Sequence, residues 1–272
     1  MELTERLERA EGEMMWALTQ TPPGVVEALG ISGHRIGKGI VVVVSNDSID
    51  YWSRASGFGF DRPIDSALIG EILEVARAAG GRVLNFHLAP EVLPADWAEI
   101  CAEYGIVAGG TWVKAVREAG PVAPVQTDLR IGVIDPEEAA VWAATQIEIF
   151  EMPADQTDLL AAFAGVPGCT AYGAWDGDKL VATGALVVTG EIGECVSGTT
   201  LPAYRGRGAQ SAILARRAED AFAAGCRWVT SETGKPGPGE HNSSLANMER
   251  VGFKVAYDRP IYRWKAQPTV TV

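Results

Sequence analysis

Basic residues are scarce in this chain. Lysine and arginine number 23 against 35 acidic residues in a total of 272, for a formal net charge of −12. So acidic a surface excludes non-specific nucleic-acid binding, which needs clustered cations against phosphate. Cysteine and histidine are scarce too. Cys101, Cys169, Cys195 and Cys226 form no C-x-x-C, and none stands at ligand spacing to His34, His87 or His241. No metal site is expected, and the cysteines read as reduced, mostly buried small residues. No apolar run approaches the ~18 residues of a membrane span. The start, M-E-L-T-E-R-L-E-R-A, lacks the basic head and apolar run of a secretory signal. Two common phosphate loops, G-x-x-x-x-G-K-[ST] and G-x-G-x-x-G, are missing as well. These absences lead to the expectation of a cytoplasmic protein with no membrane or nucleic-acid partner. An anionic ligand would need local positive charge to offset the acidic background.

What is present is a repeat. The stretch R117-E-A-G-P-V-A-P-V-Q-T-D128 carries two prolines and shows no period, so it reads as a linker between nearly equal halves. In each half an amphipathic helix runs into a glycine stop and then a strand: A-A-G-G-R-V in the first, A-A-G-C-R-W in the second. Gly225 stands against Gly80 at an offset of 145. A second helix then ends in C-A-E-Y-G-I or M-E-R-V-G-F, with Gly252 against Gly105 at an offset of 147. A last strand follows, finishing in T-W-V-K (111–114) or Y-R-W-K (262–265). Two ordered matches at a near-constant offset point to a tandem duplication. Domains are expected over 1–118 and 129–272, joined by 119–128.

The second half reads as a strand over 129–134, a helix opened by Asp135-Pro136 with acids in its first turn, and a second helix near 155–163. A three-strand meander follows over 169–175, 180–188 and 194–200. After it come T199-T-L-P-A-Y-R-G-R-G-A-Q-S211, a helix from about 209, a strand over 227–231, a helix near 243–251 and a final strand. This order predicts an α+β sandwich with a mixed sheet.

The loop 199–211 supports two readings. One is a glycine-rich turn with two solvated arginines. The other is a phosphate cradle: Gly206 and Gly208 leave backbone N–H groups uncovered, the helix start adds partial positive charge, and Arg205, Arg207 and Ser211 add donors.

In this setting the loop resembles the acyl-CoA loop of the GNAT superfamily of N-acetyltransferases, R/Q-x-x-G-x-G/A opening a long helix. Arg205 and Gly208 agree with that pattern, and Gln210 departs from it. Downstream, N242-S-S-L-A-N-M-E-R-V-G-F253 supplies the Asn and the G-F that often accompany the loop. The resemblance covers most of 129–265. It implies two tandem GNAT-like domains, each a mixed, mostly antiparallel sheet flanked by helices, with acetyl-CoA as cosubstrate and no metal. Thr199 and Leu201 would bond the pantetheine arm through their backbone. Backbone N–H groups of Arg207, Gly208, Ala209, Gln210 and Ser211 would hold the pyrophosphate. Asn242 reads equally as a ligand contact or as a helix cap; Asn247 reads as a helix residue.

In such enzymes an amine attacks the thioester, a base removes its proton, and a Tyr often protonates the leaving thiolate. The position of that Tyr holds Met248, so the usual acid is missing. Candidate bases are Glu232 and Glu194, with Glu191 and His241 behind them; each also reads as a solvated loop residue. Cys195 has no identifiable histidine to make it a nucleophile. Aligned with the loop, the first half offers F60-D-R-P-I-D65, without R-G-x-G and with Asp61 and Asp65 to repel phosphate. The first domain therefore resembles the degenerate N-terminal domain of tandem GNAT proteins. Its W52-S-R-A-S-G-F-G-F60 run reads as a core strand and turn ahead of a pocket wall. The expected activity is acetyl transfer to the amine of a small molecule by a monomer or homodimer. The rival is an acyl-CoA sensor with little turnover, and a protein acetyltransferase ranks third.

Overall fold

The structure, a computed structural model, describes residues 2–267. Met1 and residues 268–272, the outer ends of the two expected domains, lie outside the described residues. The chain forms two compact units. The first gathers the chain up to Thr19, from Val26 to Trp112, and from Arg259 onward; the second gathers Gln20–Val25 and Val113–Asp258.

In chain order the elements are α1 (Leu3–Trp16), α2 (Pro23–Leu29), β1 (Ile31–Ile36), β2 (Gly39–Val44), β3 (Arg54–Ser56), α3 (Ser66–Ala78), β4 (Val83–His87), α4 (Trp97–Tyr104) and β5 (Val107–Glu118). They continue with β6 (Arg130–Val133), α5 (Ala139–Phe150), α6 (Thr157–Phe163), β7 (Cys169–Asp176), β8 (Lys179–Thr189), β9 (Ile192–Thr200), α7 (Ala209–Ala223), β10 (Trp228–Gly234), α8 (Ser243–Arg250) and β11 (Lys254–Lys265).

In the first unit β1, β2 and β3 are antiparallel neighbours, β3 and β4 are parallel, and the end of β11 lies antiparallel to β4. The unbroken run in β2, G-I-V-V-V-V, is buried throughout, as a strand covered on both faces must be. Helix α3 buries Leu68, Ile69, Ile72, Leu73 and Ala76, the apolar positions that its 3.6-residue period places on one face. Phe58 belongs to this core, which bears out the core reading of 52–60 over a pocket wall. The unit also buries a charge network. Arg259 donates to Glu8 at 2.8 Å and Glu11 at 2.5 Å, and Arg54 donates to Glu11 at 3.0 Å. His87, 2.7 Å from Glu11, is held well below its usual pKa by burial and by the two guanidinium groups, so it is neutral here.

In the second unit β6, β7, β8 and β9 form an antiparallel meander, β10 lies parallel to β9, and β5 lies beside β10. Helix α7 buries Ile213, Leu214, Ala218 and Ala221 in one cluster with Val181, Leu186, Val229 and Phe253. Each unit thus includes strand residues from the other half of the sequence: the end of β11 in the first unit and the end of β5 in the second.

The repeat is visible at the level of single hydrogen bonds. Gly80 (φ +76°) and Gly225 (φ +92°) end α3 and α7 with the same left-handed turn. Gly81 N–H donates to Ala76 O at 2.8 Å, and Cys226 N–H to Ala221 O at 2.9 Å. After α4 and α8, Ile106 N–H donates to Cys101 O at 2.9 Å and Phe253 N–H to Met248 O at 3.0 Å. All four are the long closing bond of a glycine-terminated helix.

Candidate functional site

The parallel pairing of β9 with β10 runs from Ile192/Trp228 to Cys195/Ser231 and then stops, while β9 goes on to Thr200 and β10 to Gly234. These ends, no longer paired with each other, flank a groove of about 1230 Å³ within the second unit. Its walls include Val196–Thr200 of β9, Tyr204–Ser211 of the loop, and Asn247, Met248 and Arg250 of α8. That volume exceeds the ~300–1,000 Å³ typical of small-molecule pockets and suits a long ligand.

The loop delivers the helix start to this groove. Gly208, the N-cap of α7, has φ +81° and no side-chain cap. The N–H groups of the first turn are therefore available to an acceptor, at the positive end of the helix dipole. A Cβ on Gly208 would stand 2.5 Å from Gln126 O, so the position requires glycine twice over. Gly208→Ala is expected to cost about 1–2 kcal/mol in left-handed backbone alone. At ~2–4 °C per kcal/mol for a chain of this size, calorimetry should show a melting point several degrees lower.

The linker is part of this wall. Residues 123–128 line the groove, and Thr127 Oγ1 donates to Arg207 O at 2.8 Å. Arg207, though at the groove, has its charge engaged by carboxylates. It is paired with Asp128 at 2.6 Å and Asp176 at 3.1 Å, and it holds both carboxyls below their usual pKa. Its side chain fastens the loop to the linker and to the β7–β8 turn. Cations of the groove instead come from Arg205, whose Nε donates to Thr200 O at 3.3 Å, and from Arg250. Arg250 Nη1 donates to Ser211 Oγ at 2.9 Å and to Asn247 Oδ1 at 2.6 Å, and Ser211 Oγ donates to Asn247 Oδ1 at 3.0 Å.

The other sequence candidates are placed as follows. Ala209 and Ser211 form the buried first turn of α7. Thr199 lines the groove, with its carbonyl accepting from Gln210 Nε2 at 2.5 Å. Leu201 lies in the core; its N–H donates to Val181 O and its carbonyl accepts from Tyr204 N–H, both at 2.9 Å. Asn242 caps α8, accepting from Leu245 N–H at 2.9 Å and donating to Gly234 O at 2.7 Å. At that level the groove is lined by His241, Ser243 and Ser244.

Glu232 reaches the groove from the end of β10, while Glu194 is buried in β9. Between them stands Lys114 of β5, fully buried, with Nζ 2.5 Å from Glu232 and 3.6 Å from Glu194. Glu191 is exposed in the β8–β9 turn.

Residues 138–242 match the model of the Acetyltransferase (GNAT) family. The matched stretch lies within the second unit, which is therefore the part of the chain similar to GNAT acetyltransferases. Solved structures extend the likeness over nearly the whole chain, as a likeness of fold. A GCN5-related N-acetyltransferase from Kribbella flavida is 18% identical with a TM-score of 0.69, covering 99% of this chain and 98% of that one. Another, from Sphaerobacter thermophilus, is 12% identical with a TM-score of 0.61, covering 97% and 94%. A tandem GNAT protein from the clavulanic acid biosynthesis pathway, solved without acetyl-CoA, is 17% identical with a TM-score of 0.57, covering 96% and 95%. No curated protein matches the sequence.

In α8, Met248 is 3% exposed, packed in the core and lining the groove at once. Cys195 is buried, and burial pushes its thiol up to about 11, which leaves no thiolate to act as nucleophile. Helix α3 of the first unit offers a contrast to α7. Its N-cap is Asp65, whose carboxylate accepts from Leu68 N–H at 2.7 Å. The helix start that is open in the second unit is closed by an anion in the first.

Sequence reasoning missed Arg250, Lys114, Arg217 and the linker's part in the wall. Lys114 and the linker lie outside the half that carries the motif. Arg250 and Arg217 carry no motif of their own; only the packing of α7 against its neighbours brings them to the groove.

Proposed function

We propose that this chain is an acetyl-CoA-dependent N-acetyltransferase that acts on the amine of a small molecule. Its 129–272 domain would hold the cofactor, and 1–118 would be a degenerate repeat joined through 119–128. The observation that carries the reading is the uncapped start of α7, with Arg205 and Arg250 beside it, opening into the groove between β9 and β10. Backbone N–H groups of Arg207, Gly208, Ala209, Gln210 and Ser211 would hold a pyrophosphate there, and Thr199, which lines the groove with its carbonyl already accepting from Gln210, would lie along the pantetheine arm. Leu201 fits that role less well, since both its backbone groups are engaged within the protein. When bound, acetyl-CoA supplies the activated acyl group. No metal takes part in this reading. The protein would work in the cytoplasm, as a monomer or homodimer.

Met248 favours a second reading, an acyl-CoA sensor with little turnover, because no hydroxyl stands at the position of the usual acid. Calorimetric titration with acetyl-CoA, followed by a thiol-release assay over an amine panel, separates the two. Binding with turnover of at least one amine is expected; binding without turnover makes the protein a sensor; no binding at millimolar cofactor removes both.

A further inference from the structure

The wall of the groove is irregular where it matters most. Thr183 pairs with Thr199 and Ala185 with Val196, so Gly184 alone opposes both Ser197 and Gly198. This is a β-bulge, and Ser197 takes it with φ +56°, a left-handed conformation uncommon for a residue with a side chain. A bulge interrupts the ladder and leaves carbonyls in need of donors. Here side chains supply them. Gln210 Nε2 donates to Thr183 O at 3.0 Å and Thr199 O at 2.5 Å, one carbonyl on each strand. Arg217 Nη1 donates to Ala185 O and Val196 O, both at 2.9 Å, again one on each strand. Thr183 Oγ1 donates to Ser197 O at 2.9 Å.

Gln210 and Arg217 are seven residues apart on α7, two helical turns, so they project from the same face as two rungs of one splint. The glycines of the bulge make room for it. A Cβ on Gly184 would stand 3.0 Å from Arg217 Cζ, and one on Gly198 would stand 2.9 Å from Gln210 Oε1. Arg217 is an unusual choice for packing alone. It is 3% exposed, its bonds go to neutral carbonyls, and its Nε has no partner among the described residues. Burying a guanidinium opposite neutral groups is costly, and an apolar side chain would serve the core better. Both rungs also border the groove. Gln210 is the position at which the loop departs from the Gly/Ala of the family pattern, and its side chain turns to the bulge.

We infer that Gln210 and Arg217 are positioning residues: together they hold the bulged end of β9 in the one shape that receives the acyl-pantetheine arm. The inference rests on the acetyltransferase reading and adds to it the residues that set the wall. Amide hydrogen exchange tests it without any cofactor. Gln210→Met and Arg217→Met keep most of each side chain's volume and remove the donors. Each is expected to speed exchange over 196–200 by about 10-fold, the scale of one lost hydrogen bond. Exchange in the distant β6–β7 pairing should stay as it was. Acetyl-CoA affinity, by calorimetry, should fall by about 10-fold. With an amine that turns over, kcat should fall by up to ~100-fold while the KM for the amine holds, as a misplaced thioester predicts. Unchanged exchange at 196–200 in both variants overturns the splint. Faster exchange with unchanged affinity and kcat overturns the positioning role and leaves a structural brace. A wild-type chain that binds no acetyl-CoA overturns the acetyltransferase reading and the positioning role with it, and the exchange result then identifies the brace alone.

Discussion

Arg250→Glu is expected to weaken acetyl-CoA binding by about 100-fold or more, while the melting point of the free protein barely moves. Arg250 is exposed and touches the helix start through Ser211. A phosphate held at α7 would meet its guanidinium in a charge-assisted hydrogen bond, worth about 1.5–3 kcal/mol. Reversal removes that attraction and adds repulsion. Each 1.4 kcal/mol is a factor of ten, so two decades is a modest expectation. Arg205 shares the role and prevents the loss from being larger. Arg207 behaves differently, because Asp128 and Asp176 already engage its charge. Arg207→Ala is a loop-fastening change and should lower stability together with affinity. Arg62→Glu supplies the control: Arg62 lies beside α3 of the first unit, paired with Glu71 at 2.8 Å, where Asp65 closes the helix start. Titration calorimetry at fixed ionic strength reads all three. An Arg250→Glu chain that binds as tightly as wild type places the pyrophosphate elsewhere.

The asymmetry between α3 and α7 was legible in the sequence, because it depends on residues within one turn of each helix. D-R-P-I-D against R-G-R-G-A-Q is a local difference, and local chemistry decides whether a helix start is capped. The duplication was legible for the same reason: A-A-G-G and A-A-G-C write the same left-handed stop. The fate of the final strands was not. T-W-V-K and Y-R-W-K each suit a strand, and nothing within a strand states which neighbour it will join. That choice is made by long-range partners such as Arg259 with Glu8, some 250 residues away in the chain. Gln210 illustrates the limit at the site. The sequence shows only that it departs from the family's Gly/Ala, whereas in the structure its amide faces two carbonyls, one on each strand of the bulge. Arg207 illustrates it again: the residue was legible as a cation of the loop, but the carboxylates that occupy it come from the linker and from a distant turn.

Lys114→Met is expected to destabilise the second unit more than any surface change, by about 3–5 kcal/mol, the usual result of removing one partner from a buried ion pair. Lys114 is fully buried, and the side chains of Glu194 and Glu232 are 4% and 12% exposed. Without the ammonium, two carboxylates share a largely dry space, and each disfavours the charge of the other. The double variant Lys114→Met/Glu232→Gln should recover part of the loss, since it leaves one carboxylate in the dry space in place of two that repel each other. Chemical denaturation reads both. Turnover separates the roles of the two acids. If Glu232 accepts the amine's proton, Glu232→Gln lowers kcat/KM by about 10²–10⁴-fold. Acetyl-CoA affinity should hold, because the cradle at α7 is untouched. Glu194 is not part of the groove lining, so Glu194→Gln should act mainly on stability. The reverse pattern, with turnover lost on changing Glu194 and kept on changing Glu232, would move the base one strand inward and make Lys114 the group through which the proton leaves.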